Sequence, residues 1–369
     1  MKITDVTLTM FEWGGGHAQY GTTNPLVNSS QIGLVTISTD EGVTGQSFLG
    51  ASYRSAEIEA WSMINILKPI IMGRDPFDRG AIHEDMLKRV VATSFRAIGS
   101  IDVALWDLAG KVAGLPVHKL IGTHQHSVPV YASSPTLKTD EEYVDLGLQV
   151  KDEGYVGYKT HPPAHYTVDQ NIALHRKIRD AVGPDYRLMV DAAAHLDYGH
   201  SLKLGIALKE MGYYWFEDPL PHTDIWTYVK LCEKLEIPVM ATEYQPGGFH
   251  FYAPWITMHA TDYLRGDVAV KGGITPCLMT AMLAHGFHMN YEIHHGGNSV
   301  NNIANLHLIQ ALPNSEMFEV LLPGKAHKFG VLNDLDIDKK GHVTAPDGPG
   351  LGIEYDMDAI KRLTVGVLS

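Results

Sequence analysis

The chain has 369 residues, 45% of them hydrophobic and 19% charged, with a formal net charge of −13. This balance describes a folded protein of one large or two unequal domains and excludes a disordered chain. The negative excess repels nucleic-acid phosphates and anionic membranes, and no dense Lys/Arg run offsets it, so the expected partners are small molecules or further copies of the chain. Cys232 and Cys277 are too few for a disulfide framework, which points to a reducing, cytoplasmic setting. The opening MKITDVTLTMFEW lacks the apolar stretch of a signal peptide, and no run reaches the roughly 18 apolar residues of a membrane span.

The first 50 residues read as strands. ITDVTLTMF alternates, IGLVTISTDEGVTGQSFLG alternates around an Asp-Glu-Gly turn, and the glycine-rich GGGHAQYGTTNP lies between them as a long loop. From Ser55 to about Gly122 the pattern becomes helical. SIDVALWDLAGKVAG puts Ile101, Ala104, Leu105 and Leu108 on one face, with Gly114 and Pro116 as stop signals. Beyond residue 127, eight short β-rich runs alternate with amphipathic helices: VPVYAS, VGYKTH, RLMVDA, YYWFED, IPVMATE, DYLRGDV, HMNYEIH and MFEVLL. Eight repeats of this kind favour a parallel (β/α) barrel over a doubly wound sheet. The chain thus divides into an α+β segment over 1–125, a barrel over 126–330 and a turn-rich tail over 331–369, expected to pack back on the first segment.

In such a barrel the active site gathers at the carboxyl ends of the strands. The polar residues ending the apolar runs are Lys159, His161, Asp191, Glu217, Glu243, Asp267, His294 or His295, and Glu319. Asp191, Glu217 and Glu243 are separated by 26 and again by 26 residues, one strand-helix repeat each, so the three carboxylates converge. Their mutual repulsion raises their pKa values unless a cation offsets it, and an all-oxygen set suits Mg²⁺ better than Zn²⁺. Lys159 and His161, two apart in an extended run, face the same way. A lysine in a dry pocket drops in pKa and can act as a base, and a neighbouring histidine carries protons near neutral pH. A carboxylate at Asp267 can hydrogen-bond an imidazole on the next strand. His294 and His295 are adjacent in an extended chain and point to opposite faces, so only one of them can look into the pocket.

These residues resemble those of the enolase superfamily, in its mandelate racemase-like branch, over nearly the whole chain. VDA, WFEDPL and ATE are similar to its three metal-ligand strands. RGDVAVKGGITP resembles its Asp-bearing strand with the Gly-Gly-Ile-Thr turn, and SIDVALWDLAGKVAGLPVHKLIG resembles the segment joining capping domain to barrel. The resemblance implies an α+β capping domain over a modified (β/α)7β barrel, with one Mg²⁺ held by Asp191, Glu217 and Glu243. It also implies abstraction of the proton α to a substrate carboxylate, giving a metal-stabilised enediolate. The branch's His-Asp pair is spaced by 27 residues, which selects His294 as the partner of Asp267. The Pro-His-Gly-Gly found in dehydratases of this branch would instead select His295. Two departures bear on substrate identity: Lys-x-Lys is replaced by Lys159-Thr160-His161, and Asp-x-Asn by Asp191-Ala192-Ala193.

The function expected from this is Mg²⁺-dependent dehydration of a sugar acid to a 2-keto-3-deoxy acid. Lys159 or His161 works on one face and His294 on the other, while Glu319, if protonated, hydrogen-bonds the substrate carboxylate. His17, Tyr20, Thr22, Asn24, Tyr53 and Arg54 are expected to form a polar lid that reads a polyhydroxylated substrate. A racemase, epimerase or cycloisomerase would share the enediolate, and a barrel retained only for binding would share the fold. The resemblance also implies a homo-oligomer.

Overall fold

The computed structural model describes residues 1–13, 20, 30–245 and 247–369. Strands β1 (Ile3–Trp13), β2 (Ser30–Thr39) and β3 (Thr44–Leu49) form an antiparallel meander. One face of it buries Val6, Leu8, Val35 and Ile37 against Met63, Leu67, Ile98, Ile101, Leu105 and Leu108 of the helices that follow. Each such aliphatic side chain contributes roughly 1.5–3 kcal/mol by leaving water. The helix Phe95–Ala113 begins where Ser94 accepts from the Ala97 amide and stops at Gly114, whose φ of 67° closes the last turn.

The barrel strands are β4 (Val128–Ser133), β5 (Gly157–Thr160), β6 (Arg187–Asp191), β7 (Trp215–Glu217), β8 (Val239–Ala241), β9 (Tyr263–Gly266), β10 (Asn290–Ile293) and β11 (Phe318–Leu321). All eight apolar runs become strands, parallel and in the order β10-β9-β8-β7-β6-β5-β4-β11. Among the described residues no ladder joins β10 to β11. The seam is bridged instead by the Tyr291 amide on the Asn314 carbonyl, 2.8 Å, and by the Glu292 carboxylate accepting the Glu316 amide at 3.1 and 3.2 Å.

The tail does more than pack on the first domain. Strand β12 (His342–Val343) pairs antiparallel with β4, and β13 (Thr364–Leu368) extends the meander beside β1. No helix among the described residues is long and apolar enough to cross a membrane.

The domains meet along the helix Phe95–Ala113. A Cβ on Gly99 would lie 2.5 Å from the Val268 carbonyl oxygen, and one on Gly273 would lie 2.2 Å from the Asp102 carboxylate. Gly99 thus lets the two backbones approach, and Gly273 leaves room for the Asp102 side chain. Asp102 then caps the helix Ile274–Gly286, accepting from the Thr275 amide at 2.9 Å and its hydroxyl at 2.5 Å. This contact holds the capping domain over the carboxyl ends of the barrel strands.

Candidate active site

The barrel interior is stacked in layers. Tyr131, Met189, Trp215, Met240 and Met317 form an apolar plug. Next comes a box of four buried charges: Lys159 Nζ lies 2.8 Å from Glu217 and 2.7 Å from Glu319, and Arg265 lies 2.7 Å from Glu217 and 2.5 Å from Glu319. Two cations against two anions make a neutral floor, which is how such charges tolerate burial.

Asp191, Glu217 and Glu243 extend this layer, each offering an oxygen within 4.8 Å of the others. Register explains the convergence: Asp191 and Glu217 are direct neighbours on β6 and β7, and Glu243 follows the end of β8. Burial pushes the Glu243 pKa up, and although His294 offsets this in part, Asp191 and Glu217 add to it. Asp218, buried beside them, is raised well above the carboxylate range by burial and then by Glu243 and Asp191. Asp191 is the exception: burial there is outweighed by His161 and Lys159, which hold its pKa below the carboxylate range. The unneutralised charge therefore sits at Glu243 and Asp218, and an all-oxygen donor set of this size fits one hard divalent cation such as Mg²⁺.

The ligand positions are fixed by backbone in the left-handed region. Ala193, Ala194, Asp218 and Thr242 have φ of 48°, 61°, 37° and 88°. Hydrogen bonds hold these corners: the Ala193 amide reaches Asp191 Oδ1 at 2.7 Å, and Thr242 exchanges two bonds of 2.9 Å with the Arg265 backbone.

Two imidazoles flank the acids. His161 donates from Nδ1 to the Ser134 carbonyl at 2.7 Å, leaving Nε2 3.0 Å from Asp191. His294 donates from Nδ1 to Asp267 Oδ2 at 2.8 Å and presents Nε2 3.1 Å from Glu243. Asp267 is itself held by the Ala269 and Val270 amides at 2.6 and 2.8 Å. Burial alone would lower the His294 pKa, but Glu243 and Asp267 outweigh it and raise it above its ordinary value. His295 faces a separate cavity with His327 and Asn302, its Nδ1 3.0 Å from the Gly297 amide, and burial holds its pKa well below the usual range.

Above the acids lies a cleft bordered by Tyr20, Tyr53, Tyr244, His161, His222 and His294, among others. Tyr20 is pinned there: it donates to the Leu322 carbonyl at 2.6 Å and receives a bond of 2.8 Å from His327, whose Nδ1 takes the Ser52 hydroxyl at 2.9 Å.

Three expectations need correction. Burial opposes charge on Lys159, yet Glu217 and Glu319 prevail and carry its pKa well up instead of down, so it is a fixed cation and not a free base. Burial likewise opposes charge on Glu319, but Arg265 and Lys159 drive its pKa well below the carboxylate range, so it is ionised and accepts, including from the His295 amide at 3.1 Å. Arg54 pairs with Glu59 at 2.6 Å and does not border the cleft. His17, Thr22 and Asn24 lie outside the described residues. Arg265, Asp218, His222 and Tyr244 went unnoticed in the sequence. Arg265 alone left a signal there, as a cation inside an apolar run, two residues before Asp267 and hence in phase with it.

Residues 21–122 match the family model for the mandelate racemase / muconate lactonizing enzyme N-terminal domain, and residues 142–359 the one described as enolase C-terminal domain-like. The chain is 27% identical over 333 residues to an arabinonate dehydratase of Saccharolobus solfataricus, covering 87% of each chain. It is 29% identical to the L-talarate/galactarate dehydratase of Salmonella typhimurium, covering 92% of this chain and 84% of that one. The crystal structure of D-glucarate dehydratase from Agrobacterium tumefaciens, complexed with magnesium, matches with a TM-score of 0.88 and 29% identity over 99% of this chain and 100% of that one. With matches running through both domains, the chain belongs to the mandelate racemase / muconate lactonizing enzyme family of the enolase superfamily.

Proposed function

We propose that this protein is a Mg²⁺-dependent lyase that dehydrates a sugar acid to a 2-keto-3-deoxy acid. The observation that carries the reading is the pair of imidazoles flanking one acid trio, His161 against Asp191 and His294 against Glu243. Mg²⁺ held by Asp191, Glu217 and Glu243 would supply positive charge to the substrate carboxylate and so acidify the neighbouring C–H. His294 accepts the α-proton at Nε2, while Asp267 fixes its tautomer through Nδ1 and stabilises the imidazolium that forms. His161, on the other side, gives a proton to the departing β-hydroxyl. Lys159 and Arg265 keep the floor neutral and hold Glu217 and Glu319 in place. Relatives named as dehydratases of sugar acids support the same reading.

The test is keto-acid formation from a library of sugar acids, with and without EDTA, alongside exchange of the α-proton in D₂O. His294→Asn is expected to lower turnover by about 10²- to 10⁴-fold, the range for a general base, while His295→Asn retains most of it. Loss confined to His295→Asn would reverse the assignment. Exchange without keto acid would make the protein a racemase or epimerase, and neither event would leave a binding barrel. Assembly into a homo-oligomer belongs to the same reading and is read directly by light scattering.

A further inference from the structure

We infer that the substrate is an aldonate, with one carboxylate and a neutral polyol tail, and not an aldarate with a carboxylate at each end. This rests on the sugar-acid reading above and narrows it, since sugar-acid relatives of both kinds are known for this chain.

A substrate carboxylate seated at the acid trio leaves its carbon chain to run along the remaining wall of the cleft. That wall consists of Tyr20, Tyr53, Tyr244, His222, Asp218 and Leu321. All three phenols are uncharged near neutral pH, as an unperturbed tyrosine is. Phenols and a neutral imidazole exchange hydrogen bonds with hydroxyls but carry no positive charge to set against a carboxylate, and burial holds the His222 pKa below its ordinary value.

No Lys or Arg borders the cleft among the described residues, and the segments 14–19 and 21–29 contain neither. The nearby cations lie outside that lining: Arg54 pairs with Glu59, and Lys271 donates to the Gln245 carbonyl at 3.1 Å. Arg96 lies outside it too, where its charge acts on Tyr53, Tyr244, Asp267 and Glu59. A second substrate carboxylate would therefore be desolvated without a partner, beside Asp218 and the apolar Leu321.

The same wall suits hydroxyls. Asp218 Oδ1 and His222 Nδ1 are shut from solvent with no hydrogen-bond partner, and the two side chains stand 3.5 Å apart. Buried groups left in this condition are matched by a ligand that supplies donors and acceptors, as a chain of C–OH groups does.

The experiment uses Mg²⁺-loaded His294→Asn protein as a receptor that does not turn over, titrated calorimetrically with aldonate and aldarate pairs of equal length and configuration. At least one aldonate is expected to bind about 100-fold more tightly than its aldarate, the scale of an unpaired buried charge. In Leu321→Arg, which places a cation on the wall, that gap is expected to shrink by about tenfold or more. An aldarate binding as well as its aldonate overturns the inference. If aldonates bind selectively but the unmutated protein neither exchanges their α-proton nor forms keto acid, the substrate class stands and the dehydratase reading falls. If no acid of either class binds, both fall.

Discussion

Arg265 balances the charge at the floor of the active site, reaching Glu217 and Glu319 at once with no exposure to solvent. Replacing it with methionine preserves much of its bulk but leaves two buried carboxylates sharing Lys159. A loss of about 3–5 kcal/mol is expected, read as a lower denaturant midpoint at unchanged slope. Its role was hard to see in the sequence because phase with Asp267, the one signal it left, does not say that it meets Glu217 and Glu319 on other strands. Asp191, Glu217 and Glu243 were legible for the opposite reason: one strand-helix repeat separates each pair, and in a barrel repeat length is angular position. Asp218, His222 and Tyr244 lie one to five residues past their strand ends, where the turn and not the pleat decides direction. Alternation cannot reach them.

The seam between β10 and β11 has no ladder and combines one backbone bond, Tyr291 to Asn314, with the Glu292 side chain. Burial, then the nearby Glu316, raises the Glu292 pKa from 4.5 to about 7, so the folded protein keeps a proton that the unfolded chain releases. Stability through this group is therefore full below pH 4.5 and declines as pH climbs toward 7. Glu292→Gln keeps the acceptor without the ionisation. Its stability relative to the parent is expected to rise by about 3 kcal/mol between pH 4.5 and 7, measured by urea melts at each pH. A gap that is flat across that range would show Glu292 to be uninvolved. All eight strands were visible as apolar runs, but the seam was not, since it is made by bonds from β10 to Asn314 and Glu316 in the loop before β11. SIDVALWDLAGKVAG was legible as the join between capping domain and barrel, but the contacts that make the join were not. Asp102 meets Thr275, 173 residues away, and Asp107 meets the Leu351 amide, 244 residues away.

Across the whole molecule, histidines set the response to acid. Burial lowers the pKa of His175 from 6.5 to about 4, of His307 to about 3 and of His327 to about 4. All three stay neutral in the fold, so below pH 6.5 the unfolded chain takes up protons that the native state refuses, and stability falls. Glu292, Asp218 and Glu243 work in the opposite sense over part of this window, while His222 and His295 side with the three histidines. Thermal midpoints are expected to drop steadily from pH 6.5 to 4.5, and His175→Gln to flatten the curve. A midpoint that climbs toward pH 4.5 would show the carboxylates to dominate.

The left-handed corners are also unevenly spread. His259 and His288 follow helix ends, where such a turn is ordinary, while Ala193, Ala194, Asp218 and Thr242 all sit beside the acid trio. Glycine would take these corners with less strain, so Ala194→Gly is expected to melt later by about 0.5–1 kcal/mol. The same exchange would unfasten Asp191 from Glu217 and Glu243, letting each anchor wander on its own. Heat resistance and magnesium affinity would then move in opposite directions, and calorimetry on one purified variant would expose both. A methyl group retained at such a corner is a brace, set by folding before any ion arrives.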